Sequence, residues 1–62
     1  MNNYLYEITT YNSRMCGERF FIQCDTMEEA EKILAKEFFG LDTEYLGTYD
    51  DDEAEMLGYD TF

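Results

Sequence analysis

The pattern of hydrophobic and polar positions predicts a hairpin in the first part of the chain. Residues Tyr4–Tyr11 are rich in aromatic and β-branched side chains, as is typical of a strand. Residues Arg19–Cys24 alternate in the same way and predict a second strand. The segment between them is polar and contains Gly17, a typical turn residue. Two consecutive strands joined by such a loop most simply form an antiparallel hairpin.

The next segment has the spacing of an amphipathic helix. Thr26 and Glu29 match a capping box, in which the two side chains satisfy free backbone N–H groups at a helix start. Gly40 is a candidate C-terminal cap. Glu28 and Lys32 are spaced for a favourable pair one turn apart. Apolar residues recur at helical spacing and predict one buried stripe: Met27, Ala30, Ile33, Leu34 and Phe38.

The remainder predicts one more strand and a short helix. Residues Thr43–Tyr49 alternate again, and Asp50 with Glu53 repeats the capping pattern ahead of Gly58. Residues 59–62 are interpreted as a tail. The expected fold class is therefore α+β in the order ββαβα, as a single domain over residues 1–62. It would have a small antiparallel sheet of about three strands, one main helix packed on one face and a short C-terminal helix.

Length and composition limit what such a fold can do. A chain of 62 residues buries only about 60% of the surface it exposes when unfolded, so its core is thin. Hydrophobic residues make up 45% and aromatic residues 18%, which is too apolar for a disordered acidic tail. We therefore expect the chain to fold, with little room for a catalytic cleft.

The net charge of the chain is more informative about its partners than any sequence motif. Fifteen acidic residues against four basic ones give a net charge of −11, beyond the magnitude of roughly 2–8 that is usual for a small domain. Residues 41–62 hold eight acids and no base. A protein that binds nucleic acid or an anionic membrane directly uses Lys or Arg to neutralise the negative charge of that ligand. We therefore expect neither of them to be a direct ligand of this chain. A basic nucleic-acid-binding protein is the expected partner.

The sequence also predicts a reduced, cytoplasmic protein. No apolar run approaches 18 residues, and the first residues lack the basic and apolar regions of a secretion signal. In the predicted hairpin, Cys16 and Cys24 would lie about 17 Å apart, too far for a disulfide bond. We expect the protein to act in the cytoplasm.

Candidate catalytic chemistry is sparse. Histidine is absent, and Ser13 stands alone without a phosphate loop or a nucleophile elbow. The acidic run that starts at Asp50 does not match the twelve-residue calcium loop, because Ala54 and Glu55 occupy positions that need an oxygen ligand and glycine. The sequence therefore predicts no catalytic residues, no metal and no cofactor. A reactive Cys16, activated by Arg14 or Arg19, is the enzymatic alternative.

The acids and tyrosines predict a binding surface. Acids at a helix N-terminus stabilise the helix dipole, which accounts for about two of them. The others suggest an anionic surface whose carboxylates, about 5–6 Å apart one helical turn from each other, resemble the phosphates of a nucleic acid. Tyrosines at its edge would add contact area. The predicted partner-binding residues are Asp42, Glu44, Asp50, Asp51, Asp52, Glu53, Glu55, Asp60, Tyr45 and Tyr49.

In size and composition the chain resembles the small acidic inhibitors that phages encode, including DNA mimics and anti-CRISPR proteins. The acidic run 50–53, the absence of bases beyond residue 40 and the scarcity of Lys and Arg carry this resemblance. It implies a non-catalytic inhibitor that occupies the basic nucleic-acid groove of a defence protein such as a CRISPR effector nuclease. The alternative is a phage or bacterial accessory module that forms a homodimer through an open, aromatic sheet face and uses its acids only for solubility.

Overall fold

The computed structural model describes residues 1–62 as an α+β fold. The elements in chain order are β1 Asn2–Ile8, β2 Arg19–Cys24, α1 Met27–Glu37, β3 Thr43–Tyr49, α2 Asp51–Leu57 and β4 Asp60–Thr61. The four strands form one sheet in the order β3-β1-β2-β4. The two outer strands each pair with a strand that is not their neighbour in the chain, since β3 pairs with β1 and β4 pairs with β2.

The hairpin and the third strand are confirmed, although β1 spans Asn2–Ile8 rather than the predicted Tyr4–Tyr11. The sheet is larger than predicted and is not purely antiparallel. β1 pairs antiparallel with both β2 and β3. β4 runs parallel to β2, with Asp60 opposite Phe20. Two backbone hydrogen bonds extend this pairing, because Phe62 N donates to Phe21 O (2.8 Å) and Gln23 N donates to Phe62 O (3.0 Å). The segment interpreted as a tail is therefore a short edge strand, and the order is ββαβαβ.

One face of the sheet carries the main core beneath α1. The predicted helix is confirmed, with Glu29 N donating to Thr26 Oγ1 (3.2 Å) at its start. Phe38, rather than Gly40, is the C-terminal cap, and its N–H donates to Leu34 O. Gly40 has a φ of 81° but lies two residues farther on. The buried side chains of this core are Tyr4, Tyr6, Ile8, Phe20, Ile22, Cys24, Ala30 and Phe38.

The opposite face of the sheet is covered in part by α2, whose position the sequence did not predict. Leu5 and Phe21 are paired across β1 and β2, and both are buried although neither belongs to the core under α1. The rings of Tyr49 and Tyr59 each lie 5.9 Å from that of Phe21 between centroids. A second, thinner apolar layer therefore lies beneath α2.

A bulge in β3 distributes its tyrosines between the two faces. Strict alternation would place Tyr45 and Tyr49 on the same face. Instead the register shifts: Leu5 lies opposite Gly47 whereas Tyr6 lies opposite Tyr45, which leaves Leu46 without a partner. Gly47 has a φ of 155°, and a Cβ at this position would lie 3.3 Å from the Tyr49 ring. Glycine therefore permits both the bulge and the packing of Tyr49 over it.

Candidate functional site

The short helix α2 and its N-cap carry five of the fifteen acidic residues of the chain. Asp50 is its N-cap and accepts a hydrogen bond from Glu53 N (2.8 Å), as the sequence predicts. Gly58 ends it in the left-handed conformation with a φ of 72°. None of its residues is fully buried, in contrast to Ala30 of α1. The helix therefore lies on the surface of the sheet with its acidic first turn exposed to solvent.

A buried asparagine ties α2 to the sheet. Asn3 of β1 is only 2% exposed. Its Nδ2 donates to Asp51 Oδ1 (2.8 Å) and to the backbone carbonyl of Tyr49 (3.3 Å). Gln23 Nε2 donates to the same Asp51 oxygen at 3.5 Å. These bonds satisfy a buried polar side chain and fix the start of α2 against β1 and β2.

The structure brings together five of the eight predicted acids. Asp50, Asp51, Asp52, Glu53 and Glu55 share α2 or its cap, and all five are exposed. The other three lie outside α2. The acidic surface defined by the structure is therefore the group on α2, which we call the α2 acidic surface.

The remaining predicted acids lie outside α2. Asp42 lies beside the β1–β2 loop, where its N–H donates to Thr10 Oγ1 (2.6 Å). Along an extended strand this position is about 26 Å from the cap of α2, and Glu44 lies opposite Glu7 in the sheet. Asp60 lies on β4, and its neighbours Tyr59 and Thr61 line a depression together with Asp51 and Glu55. Asp42 and Glu44 therefore do not extend the α2 acidic surface.

Almost none of the negative charge is neutralised within the molecule. The single ion pair joins Arg19 Nε to Glu7 Oε1 at 3.0 Å. This bond raises the pKa of Arg19 above its ordinary value, with a smaller contribution from Tyr59. The predicted pair between Glu28 and Lys32 does not form. The α2 acidic surface therefore faces solvent without any basic partner from its own chain.

The two predicted binding tyrosines occupy different surroundings. Tyr45 lies on the α1 face, where its ring is 6.4 Å from that of Tyr4 and 5.8 Å from that of Tyr6. It remains 44% exposed. Tyr49 lies on the α2 face and is half-buried. Only Tyr49 therefore adjoins the α2 acidic surface.

An apolar groove runs beside the same helix. Tyr49, Glu53, Met56 and Leu57 line an open depression of about 190 Å³. Met56 is apolar, yet its side chain is 87% exposed. The exposed groove was therefore missed. Helical spacing alone could have revealed it, because Met56 lies about 200° around the helix from the half-buried Ala54.

The remaining candidate chemistry is not assembled into a site. Cys16 is exposed, Cys24 is buried, and both are free thiols. Burial, followed by the charge of Glu29, raises the pKa of Cys24 above its ordinary value. No group of three or more acidic, cysteine or histidine side chains is arranged to hold a metal ion. Neither helix is long and apolar enough to cross a membrane.

Comparisons with protein-family models, with curated proteins and with solved structures find no match to this chain.

Proposed function

We propose that the protein is a non-catalytic inhibitor whose α2 acidic surface occupies a basic nucleic-acid-binding groove of another protein. The observation that carries this proposal is the exposure of five carboxylates on one short helix with no basic partner in the chain. Concentrating like charge in this way destabilises a small domain through self-repulsion, but it attracts a basic partner at long range. The proposed advantage of the arrangement is therefore binding.

The geometry of α2 supports a mimic of nucleic acid. Side chains one helical turn apart lie about 5–6 Å from each other, which resembles the spacing of successive phosphates. Asp51 and Glu55 have this relationship. Asp51 is also held by Asn3, so part of the charge pattern is preorganised on the sheet. The resemblance to phage-encoded inhibitors directs the choice of target toward a bacterial defence protein, such as a CRISPR effector nuclease.

Affinity capture from bacterial lysate tests this function. The tagged protein is incubated with lysate treated with nuclease and then eluted with a salt gradient. We expect a basic nucleic-acid-binding protein to be released at moderate salt, because screening weakens contacts between exposed charges. Recovery of nothing but the protein itself would favour the self-associating module, and retention at high salt would contradict a mainly electrostatic contact.

Two variants with equal charge change make the capture specific. The α2 variant replaces four acids with neutral amides, and asparagine retains the ability to cap a helix. The α1 variant removes the same charge from the other helix. We expect the α2 variant to lose the captured protein and the α1 variant to retain it. The substitutions are Asp50→Asn, Asp51→Asn, Asp52→Asn and Glu53→Gln in the α2 variant, and Glu28→Gln, Glu29→Gln, Glu31→Gln and Glu37→Gln in the α1 variant.

A further inference from the structure

The groove beside α2 is a feature that pure charge mimicry does not require. Glu53, Met56 and Leu57 are spaced at i, i+3 and i+4, so they share one face of the helix. Tyr49 closes the groove from the end of β3. Its volume of about 190 Å³ compares with the cavity of about 150 Å³ that accommodates a benzene ring in another protein. The groove is therefore large enough for one aromatic or long aliphatic side chain.

The apolar side chains of Met56 and Leu57 do not contribute to the core. Ala54 is the residue of α2 that turns toward the sheet, whereas Met56 is 87% exposed and Leu57 is 44% exposed. Methionine is common at binding surfaces because its flexible side chain adapts to different partners. An apolar groove on an otherwise acidic helix is thus available to a ligand.

The charges around the groove define its occupant. Asp52 and Glu53 precede Met56 by four and three positions, which places their side chains about 5–6 Å from it. We propose that the groove receives one apolar side chain from a basic segment of the partner, with flanking Lys or Arg side chains contacting Asp52 and Glu53. This inference rests on the proposed function, because it specifies the segment of the basic partner that contacts α2.

A second copy of the chain does not satisfy the same requirements. Each copy has a net charge of −11, and α2 contributes no base to neutralise the acids of its counterpart. Like charges brought together across an interface cost several kcal/mol. A basic partner instead gains from both the apolar contact and the flanking charges. The groove is therefore assigned to a heterologous, basic segment.

Two synthetic peptides test the groove directly. Both contain two arginines on each side of a central residue, which is phenylalanine in one peptide and serine in the other. The protein is labelled with ¹³C at its methionine methyl groups, giving signals from Met1, Met15, Met27 and Met56. We expect the phenylalanine peptide to shift the Met56 signal selectively, because its ring buries apolar surface in the groove. It should bind about tenfold more tightly than the serine peptide, which corresponds to about 1.4 kcal/mol. Met1, which is 80% exposed, is the internal control.

Matched variants separate the groove from the charge. Met56→Ser should abolish the preference for phenylalanine, whereas Phe39→Ser, which alters an 89% exposed side chain outside the groove, should preserve it. If the wild type binds both peptides equally and Asp52→Asn/Glu53→Gln abolishes that binding, the proposal that the groove receives an apolar side chain is wrong. The proposed function would still stand in that case. Affinity unchanged by that neutralisation would count against the proposed function itself.

Two further outcomes would also contradict the proposal that the groove receives an apolar side chain of a basic partner. One is the absence of any Met56 shift with either peptide at millimolar concentration. The other is a dimer, detected by sedimentation, that dissociates in Met56→Ser, because it would show that a second copy fills the groove.

Discussion

The two helices cover opposite faces of one sheet but contribute to the molecule in different ways. α1 packs Ala30 against a continuous layer of strand side chains, and the rings of Phe20 and Phe38 stack at 4.2 Å. α2 buries no residue fully and is joined to the sheet largely by polar bonds from Asn3 and Gln23. Both helices have a capped N-terminus. The difference therefore lies in packing, and it separates a face that stabilises the fold from a face that presents charge.

This difference matters because the domain is small. Burial of apolar surface provides most of the stability of a folded chain, and α1 with β1 and β2 supplies most of that burial here. The α2 face can expose carboxylates because the other face supports the fold. Changes to the two faces should therefore have separable consequences for stability and for binding.

The largest effect on stability is expected from Phe20→Ala. Phe20 is 3% exposed and contacts the rings of Tyr6, Phe38 and Phe62. Removing a buried phenylalanine costs about 3–5 kcal/mol, which is comparable to the whole stability of a domain of this size. Urea denaturation followed by circular dichroism should show little or no folded protein. Phe39→Ala is the control and should change the free energy of unfolding by less than about 0.5 kcal/mol; similar losses in both variants would contradict the assignment of the core.

A smaller and more local effect is expected from Asn3→Ala. The substitution removes the two hydrogen bonds that Asn3 donates to the Asp51 carboxylate and to the Tyr49 carbonyl. At about 0.5–1.5 kcal/mol for each bond, the expected cost is about 1–3 kcal/mol. Amide hydrogen exchange should accelerate more in α2 than in α1. Equal acceleration in both helices would show instead that Asn3 supports the whole fold.

The pH dependence of stability should report the α1 core. Burial raises the pKa of both Cys24 and Tyr6 in the folded protein. A raised folded-state pKa gives stability that is present below the unfolded-state value and is lost as the pH rises above it. The urea midpoint should therefore decline from about pH 8.5, the ordinary pKa of a thiol. Cys24→Ala should delay this decline and Cys16→Ala should not; the reverse order would show that the exposed thiol is the one coupled to folding.

The smallest effect is expected from salt. With one ion pair and a net charge of −11, the folded chain has more repulsion than attraction to screen. Sodium chloride should raise the free energy of unfolding, by less than about 1 kcal/mol between low and physiological ionic strength. The α2 variant, with four charges fewer, should respond less steeply than the wild type. A fall in stability with salt would show that attractive pairs dominate.

The sequence predicts the elements that have a clear periodic pattern. The bounds of β2 and β3 agree with the alternation, and the cap of each helix agrees with its Thr26 or Asp50 signal. β4 has no such signal, since two residues are too short for a periodicity. Its pairing depends on a parallel contact with β2 that only the folded chain provides. The bulge at Gly47 was missed for a related reason, because glycine in a strand indicates an irregularity but not its register.

The candidate site was predicted less completely than the fold. Counting charges identifies the acidic run, but it cannot show that Asp42 and Glu44 lie away from α2. The role of Asn3 depends on a contact with Asp51, forty-eight positions along the chain. No local pattern encodes that contact. The assignment of residues to a common surface therefore required the tertiary arrangement.

Competition with nucleic acid tests the central claim most directly. A fluorescent DNA oligonucleotide is bound to the partner protein that was captured from lysate. The wild type or a variant is then added, and release of the DNA is followed by fluorescence anisotropy. We expect the wild type and the α1 variant to displace the DNA, whereas the α2 variant should not displace it. If the captured protein binds DNA equally well with and without the wild type, the α2 acidic surface does not occupy a nucleic-acid groove and the claim is wrong.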